Sequence, residues 1–226
     1  MADSIDLSNV VDRAMEFVAP GMTLGLGSGR ASTAFIHALG ERVRAGLDVR
    51  GVPTSIATER LARTLGIPLV DLDAIETIDF AFDGADEVDP RCDVIKGYGA
   101  ALVREKVVAA SAKTFVVLVG SEKLVTNLGE RGRLPVEVLP FALGLCRRRL
   151  RSLGLRPEVR LKDGDPLTTD NGNWILDCGL GPQDDPAALD KAILDIPGVL
   201  GTGLFINMVD VVLISQGSTI EVRKKP

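Results

Sequence analysis

Between Met22 and Val119 the chain repeats one rhythm, a short apolar run followed by an amphipathic stretch of ten or so residues. Strands are expected at 22–26, 48–53, 78–82 and 114–119, and Gly66–Val70 leads into another. Helices are expected at 32–45, 55–65 and 100–111, with an earlier one from Ser4 to about Phe17 that ends before Pro20-Gly21. Strands alternating with helices build βαβ units, and these imply a mostly parallel sheet with helices over its faces. The composition suits such a sheet: 46 % of residues are hydrophobic but only 4 % are aromatic, so the core must be aliphatic.

From Pro135 the rhythm changes. Strands at 136–139 and 158–162, helices at 141–153 and 187–196, and a run over 199–206 surround an apolar stretch at 168–177. The turn Asp170-Asn-Gly172 lies inside that stretch or divides it into two short strands. The order β-α-β-β-α-β is that of a ferredoxin-like module. The apolar run 209–215 is expected to rejoin the first sheet. The chain therefore reads as an α/β protein. A Rossmann-like, mostly parallel sheet flanked by helices occupies 1–134 and 208–226, and a smaller ferredoxin-like α+β domain occupies 135–207.

Charge and composition exclude several classes. A net charge of −5 with no compensating basic stretch argues against nucleic-acid binding. Arg147-Arg-Arg149 with Arg151 reads as the solvated face of a helix. No apolar run approaches ~20 residues and the first residues are acidic, so neither a membrane span nor a leader is expected. Cys92, Cys146 and Cys178 are far apart and odd in number, which fits free thiols in a reducing cytoplasm and suggests no metal site. His37, the single histidine, sits mid-helix among Ala34, Ile36 and Ala38 and is read as structural, which leaves no base for a Ser-His-Asp triad.

Three segments carry chemistry. In Gly25-Leu-Gly-Ser-Gly-Arg30 a glycine loop joins a strand to a helix, so backbone N–H groups and a helix N-terminus can face an anion. Neither the dinucleotide fingerprint nor a P-loop is met, and alone the loop is as compatible with a tight turn as with a phosphate site. Asp83-Gly-Ala-Asp-Glu-Val-Asp89 packs four carboxylates into seven residues at a strand end, where open α/β sheets bind ligands. Such a cluster is solvated, paired with cations, or used in a reaction. In Lys96-Gly-Tyr-Gly-Ala-Ala-Leu-Val-Arg-Glu-Lys106 a loop feeds a helix on which the neighbours of Glu105 are Ala101, Leu102, Val108 and Ala109. A carboxylate on so apolar a stripe is expected to have a raised pKa and to serve as a base, unless it pairs with a cation for structural reasons. Lys123, in Gly120-Ser-Glu-Lys, lies at another strand end and can offer positive charge to a phosphate or an oxyanion.

Together Gly25-x-Gly-Ser-Gly, Asp83-Gly-Ala-Asp-Glu87, Lys96-Gly-x-Gly-Ala-Ala-Leu-x-Arg-Glu-Lys106 and Gly120-Ser-Glu-Lys123 resemble the ribose-5-phosphate isomerases of type A in order and spacing, over essentially the whole chain. The resemblance implies an aldose–ketose isomerase that interconverts ribose 5-phosphate and ribulose 5-phosphate in the non-oxidative pentose phosphate pathway. It needs no metal or organic cofactor and works as a homodimer or a dimer of dimers. By the same resemblance Glu105 is the proton acceptor, Lys96 the cation beside the reacting carbonyl, and Asp83 and Asp86 carboxylates of the substrate cleft that open the furanose ring and hold hydroxyls. Ser28, Gly29, Arg30 and Ala31 fall on the segment that receives substrate, as do Gly84, Ala85, Gly97, Tyr98 and Gly99 on the cleft loops, with Lys123 a substrate-binding lysine. Two positions depart from the family pattern. Where it usually has Gly-Thr-Gly-Ser-Thr this chain has Gly27-Ser-Gly-Arg-Ala31, which removes two hydroxyls and adds a guanidinium that can grip phosphate bidentately or point to solvent. Where it has Lys-Gly-Gly-Gly this chain has Lys96-Gly-Tyr98-Gly, whose phenol can narrow substrate choice, stack on a sugar or face outward.

Other classes fit less well. A CoA transferase or sugar-phosphate deaminase on a related scaffold would need larger loops. A sugar-phosphate sensor would need a DNA-binding module ahead of Gly25 and would have no use for Glu105. An NAD-dependent oxidoreductase lacks its fingerprint, although Asp48 stands about 20 residues downstream of the loop.

Overall fold

The computed structural model describes residues 7–225. In chain order its helices are α1 (Ser8–Met15), α2 (Arg30–Arg44), α3 (Ile56–Thr64), α4 (Leu102–Ala110), α5 (Leu143–Ser152) and α6 (Pro186–Leu194). The first strands are β1 (Thr23–Leu26), β2 (Arg50–Pro53), β3 (Ile78–Asp83), β4 (Glu87–Val88), β5 (Val94–Ile95) and β6 (Ala112–Gly120). Then follow β7 (Arg133–Val138), β8 (Arg156–Val159), β9 (Leu161–Lys162), β10 (Asp165–Pro166) and β11 (Trp174–Gly179). The last are β12 (Val199–Thr202), β13 (Leu204–Phe205), β14 (Val211–Gln216) and β15 (Thr219–Lys224). Residues 4–6 of the first expected helix lie outside the described residues.

The chain divides into two compact units. The first gathers residues up to Ala85, Arg104–Leu124 and Met208 onward; the second gathers Asp86–Val103 and Val125–Asn207. The sequence places the boundaries between 134 and 135 and between 207 and 208. The second unit also takes 86–103, where β4 and β5 pair with each other and β5 with β13, and 125–134, which Val125 N ties to the Val88 carbonyl and Gly129 N and Arg131 N tie to Glu87.

In the first unit six strands form one sheet in the order β15-β14-β6-β3-β1-β2. All neighbours are parallel except the edge pair β14–β15. Central strands of such a sheet are covered on both faces, and all four residues of β1 and residues 115–120 of β6 are buried. The core packs Phe35 on Phe82, ring centroids 4.3 Å apart, with Leu24, Leu26, Ile36, Leu39, Val116 and Leu118 around them. Ser55 caps α3 by accepting the Thr58 N–H, so the helix starts where β2 ends. The strand expected after Gly66 amounts to one bridge, Leu69 with Gly51. Pro68 has no N–H to extend a ladder. Strand β15, unforeseen in the sequence, is a mostly polar edge strand.

The second unit holds a four-stranded antiparallel sheet in the order β12-β7-β11-β8, with α5 and α6 supplying the helices of the expected β-α-β-β-α-β order. Leu134, Val136, Val138, Leu176, Cys178, Cys146, Leu150 and Ile193 form its core. Asp185 caps α6 through the Ala188 N–H, with Pro186 in the first turn. The stretch 168–177 is not one strand: Thr168 bridges Trp174 around a turn, and β11 starts at Trp174. That turn is fastened to fully buried Glu137, one of whose oxygens accepts from Thr169 Oγ1, Asn171 Nδ2 and Asn173 Nδ2. The run 199–206 also divides, β12 joining the four-stranded sheet and β13 a separate three-stranded one with β5 and β4. The break falls at Gly203, where a Cβ would stand 2.3 Å from the Lys96 carbonyl oxygen.

Gly25, in the middle of β1, is tightly enclosed: a Cβ there would lie 2.5 Å from Val108 Cγ1 and 2.8 Å from Ala81 Cβ. Gly25→Ala should therefore cost about 1–3 kcal/mol through overpacking. Calorimetry should show a melting temperature lowered by about 2–4 °C per kcal/mol; an unchanged Tm would mean that β1 and β3 can part at no cost.

Candidate functional site

Counting only sheet strands, the parallel part of the first unit runs 2-1-3-4-5, with its switch point between β1 and β3. Loops at the carboxyl ends of those two strands are where such sheets bind ligands. Gly27 follows β1, and Asp83 ends β3. A Cβ on Gly27 would stand 2.3 Å from the Asp83 carboxyl group and 2.6 Å from the Phe82 carbonyl oxygen, so only glycine lets the two strand ends meet. The glycine loop thus has a packing reason of its own. It leads into Gly29, whose φ of +91° suits glycine, and on into α2.

Asp83 is buried, and its Oδ1 accepts from Ser28 N at 3.0 Å, Ser32 Oγ at 2.9 Å and Gly84 N at 2.8 Å. Glu105, on α4, is 5 % exposed. It lines a crevice too narrow for a water molecule, together with Gly25, Gly27, Thr54, Asp83, Val108 and Phe115. The burial expected from the apolar stripe on α4 is thus present, and the crevice brings Glu105 and Asp83 together. Ser28 Oγ completes a hydroxyl cluster that the sequence reading missed: it lies 2.9 Å from Thr54 Oγ1, 2.9 Å from Ser55 Oγ and 3.3 Å from Thr58 Oγ1. Thr58 Oγ1 in turn donates to the Gly27 carbonyl, and Thr54 Oγ1 to that of Leu26. The signal was Thr54-Ser55 at the carboxyl end of β2, next to β1 in the sheet.

Arg30 begins α2 with its side chain 64 % exposed and Nη2 3.7 Å from Glu122 Oε1, an ion pair that holds it loosely. Ala31 is buried in the core beside the loop. Lys123 closes the short 3₁₀ turn after β6, partly exposed at the carboxyl edge of the sheet. Gly84 and Ala85 follow Asp83 in a half-buried turn.

The remaining candidates lie in the second unit. Asp86 is half-buried, and its Oδ2 accepts the Tyr98 N–H at 3.0 Å. Glu87 is fully buried and accepts from the backbone N–H groups of Gly129 and Arg131. Burial pushes its pKa up, against the pull of those two N–H donors. Asp89 Oδ1 accepts from Arg91 N and Asp93 N and so builds the β4–β5 hairpin turn. The four carboxylates of 83–89 are therefore no solvated acidic turn: each has its own set of donors, and three of the four are buried. Lys96 is 3 % exposed, with Nζ 5.6 Å from the centroid of the Phe205 ring, and its N–H donates to the Gly203 carbonyl. Gly97, at φ +105°, starts the turn that Ala100 N closes on the Gly97 carbonyl, with Gly99 exposed at its tip. The Tyr98 ring is turned to Arg133, whose guanidinium carbon lies 4.7 Å from the ring centroid. Burial, with Asp86 and Glu87 nearby, pushes the phenol pKa up to about 12, so it stays protonated at any working pH.

Among the described residues no cluster of three or more His, Cys, Asp or Glu side chains is arranged to hold a metal ion, and no helix is long and apolar enough to cross a membrane.

Residues 50–219 match the family model described as ribose 5-phosphate isomerase A (phosphoriboisomerase A). A ribose-5-phosphate isomerase A of Roseiflexus sp. (strain RS-1) is 48 % identical over 218 residues, covering 95 % of this chain and 94 % of its own. One from Thermosynechococcus vestitus is 49 % identical over 212 residues, covering 92 % and 89 %. The solved ribose 5-phosphate isomerase A of Methanocaldococcus jannaschii superposes with a TM-score of 0.93 at 42 % identity, over 97 % of this chain and 98 % of that one. Family model, relatives near half identity and a superposition spanning nearly both chains agree, and this chain belongs to the ribose-5-phosphate isomerase A family.

Proposed function

We propose that the chain interconverts ribose 5-phosphate and ribulose 5-phosphate through an enediolate, within the non-oxidative pentose phosphate pathway. The observation that carries this reading is Glu105, a carboxylate 5 % exposed in a crevice shared with Asp83 at the switch point of a parallel sheet. Glu105 takes the proton from C2 of the open-chain aldose and returns it to C1, while O1 gains a proton and the C2 hydroxyl gives one up. One positioned base suffices for that transfer, provided a cation steadies the negative oxygen between the two steps. Lys96 has that role, and Asp83 and Asp86 assist ring opening and hold hydroxyls. The loop Ser28–Ala31 and Lys123 receive the phosphorylated end. A solved relative, 36 % identical, is described as a complex with phospho-erythronic acid, a phosphorylated sugar acid of the kind this reading requires. No metal or organic cofactor takes part.

Two further assignments belong to this reading. Three buried cysteines, none of them in a disulfide, fit the reducing cytoplasm. A homodimer is supported by apolar side chains in the open on the second unit: Phe141 is fully exposed, and Leu139 and Leu200 are 45 % and 43 % exposed. Leu139 N donates to the Gly198 carbonyl, so the end of β7 adjoins the start of β12, where Leu200 stands. An aromatic side chain left wholly in water is the kind of anchor that subunit contacts bury.

Glu105→Gln should lower kcat for ribose 5-phosphate by about 10²–10⁴-fold with the melting curve unchanged; a near-normal rate would remove Glu105 as the base. Turnover of the unsubstituted protein should persist in EDTA, and its loss there would overturn the cofactor-free mechanism. Phe141→Asp should convert the sedimenting species to a monomer, and an unchanged sedimentation coefficient would put the subunit contact elsewhere.

A further inference from the structure

The loop that carries Lys96 is conformationally costly. Gly97 has φ +105° and Ala100 φ +62°, the latter a region that residues with a side chain seldom occupy. A Cβ at Gly97 would also meet Leu102 Cδ2 at 2.8 Å. Such backbone persists only where its surroundings over-determine it. Here the constraint comes from a residue far away in sequence. Arg160, 9 % exposed, follows β8 and donates from Nη1 to the carbonyls of both Gly97 and Tyr98, each at 3.0 Å. Its other edge is engaged by Asp177 on β11: Nε lies 2.9 Å from Oδ2 and Nη2 2.6 Å from Oδ1. Arg133 adds a second contact to Asp177 at 2.8 Å and lies over the Tyr98 ring. Burial alone would raise the Asp177 pKa, but the hydrogen bonds from Arg160 and Arg133 more than offset it and hold the carboxyl below the ordinary aspartate range. The pair thus stays ionised at neutral pH.

We propose that Arg160 is a positioning residue for the isomerisation, its guanidinium clamped by Asp177 so that it fixes the Gly97 and Tyr98 carbonyls and through them the placement of Lys96. The proposal rests on the reading above that Lys96 steadies the enediolate. A planar fork is needed because one group must serve a carboxylate along one edge and two carbonyls along the other; an ammonium of the same charge cannot do both. Arg160 touches no reacting atom, and its effect reaches the chemistry only through the loop. Errors of about an ångström in a catalytic group are costly to rate and need not weaken substrate binding.

The test compares Arg160→Lys and Arg160→Gln with the unsubstituted protein and with Lys96→Ala, by steady-state kinetics and by amide hydrogen exchange. Exchange at residues 97–100 should quicken about tenfold or more in both Arg160 variants while β7 and β11 stay protected. Their kcat should fall about 10–100-fold, with KM within about threefold. Unchanged exchange in the loop would overturn the proposal, as would a loosened loop with kcat retained. Loss of protection across β7 and β11 as well would make Arg160 a support of the whole sheet and refute positioning. Full turnover in Lys96→Ala would instead defeat the assignment of Lys96, whatever the loop does, and would leave Arg160 with a structural role only.

Discussion

The close approach of Gly27 to Asp83 is the constraint on which the rest of the first unit depends. Parallel strands that end at a switch point leave backbone N–H groups facing outward, and a carboxylate set among them is held by those groups. Asp83 takes hydrogen bonds from two of them, at Ser28 and Gly84, and a third from Ser32 on the helix that follows. Any side chain at 27 would occupy the volume of the carboxyl group itself. One absent Cβ therefore sets the spacing of two strand ends and the seating of a buried charge. A second glycine, Gly29, adopts a positive φ immediately before α2 begins.

Buried ionised groups are costly unless each is met by donors or an opposite charge. The segment 83–89 meets this requirement by dispersal, sending consecutive carboxylates to different partners. Asp83 turns to the glycine loop, Asp86 to the Tyr98 N–H, Glu87 to the 129–131 backbone and Asp89 to its own hairpin. Glu137 repeats the device in the second unit, where one carboxylate oxygen gathers three side-chain donors and fixes a turn. Each of these contacts removes a conformation that its loop would otherwise visit, so polar burial orders the segments that secondary structure leaves free.

The two departures from the family pattern have different physical outcomes. Arg30 extends into solvent beside Glu122, where a guanidinium keeps its reach and costs little. Tyr98 is accommodated by Arg133, which covers its ring, while the backbone on either side is tied to Asp86 and Arg160. Its bulk is covered by a cation–aromatic contact, and its backbone does not adopt the positive φ that Gly97 and Ala100 on either side have.

Local pattern fixed much of the architecture. Alternating aliphatic runs and amphipathic stretches are enough to dictate a parallel sheet, because period and length are properties of neighbouring residues; the β-α-β-β-α-β order was legible for the same reason. The burial of Glu105 was legible too, since its apolar neighbours stand three and four residues away on one helix. Strands β4, β5 and β13 were not, for two residues carry no period, and nor was the division at Gly203, which depends on the Lys96 carbonyl more than a hundred positions earlier. The hydroxyl cluster of Ser28 with Thr54, Ser55 and Thr58, and the grip of Arg160 on the 97–98 backbone, escaped the sequence for a related cause. Their partners are 26 to 63 residues apart and meet only after strands have paired. Sequence alone determined the longer, periodic elements and which residue types stand at their ends. Tertiary structure alone decided which of those ends touch, because long-range contact is set by strand order and leaves no mark on local spacing.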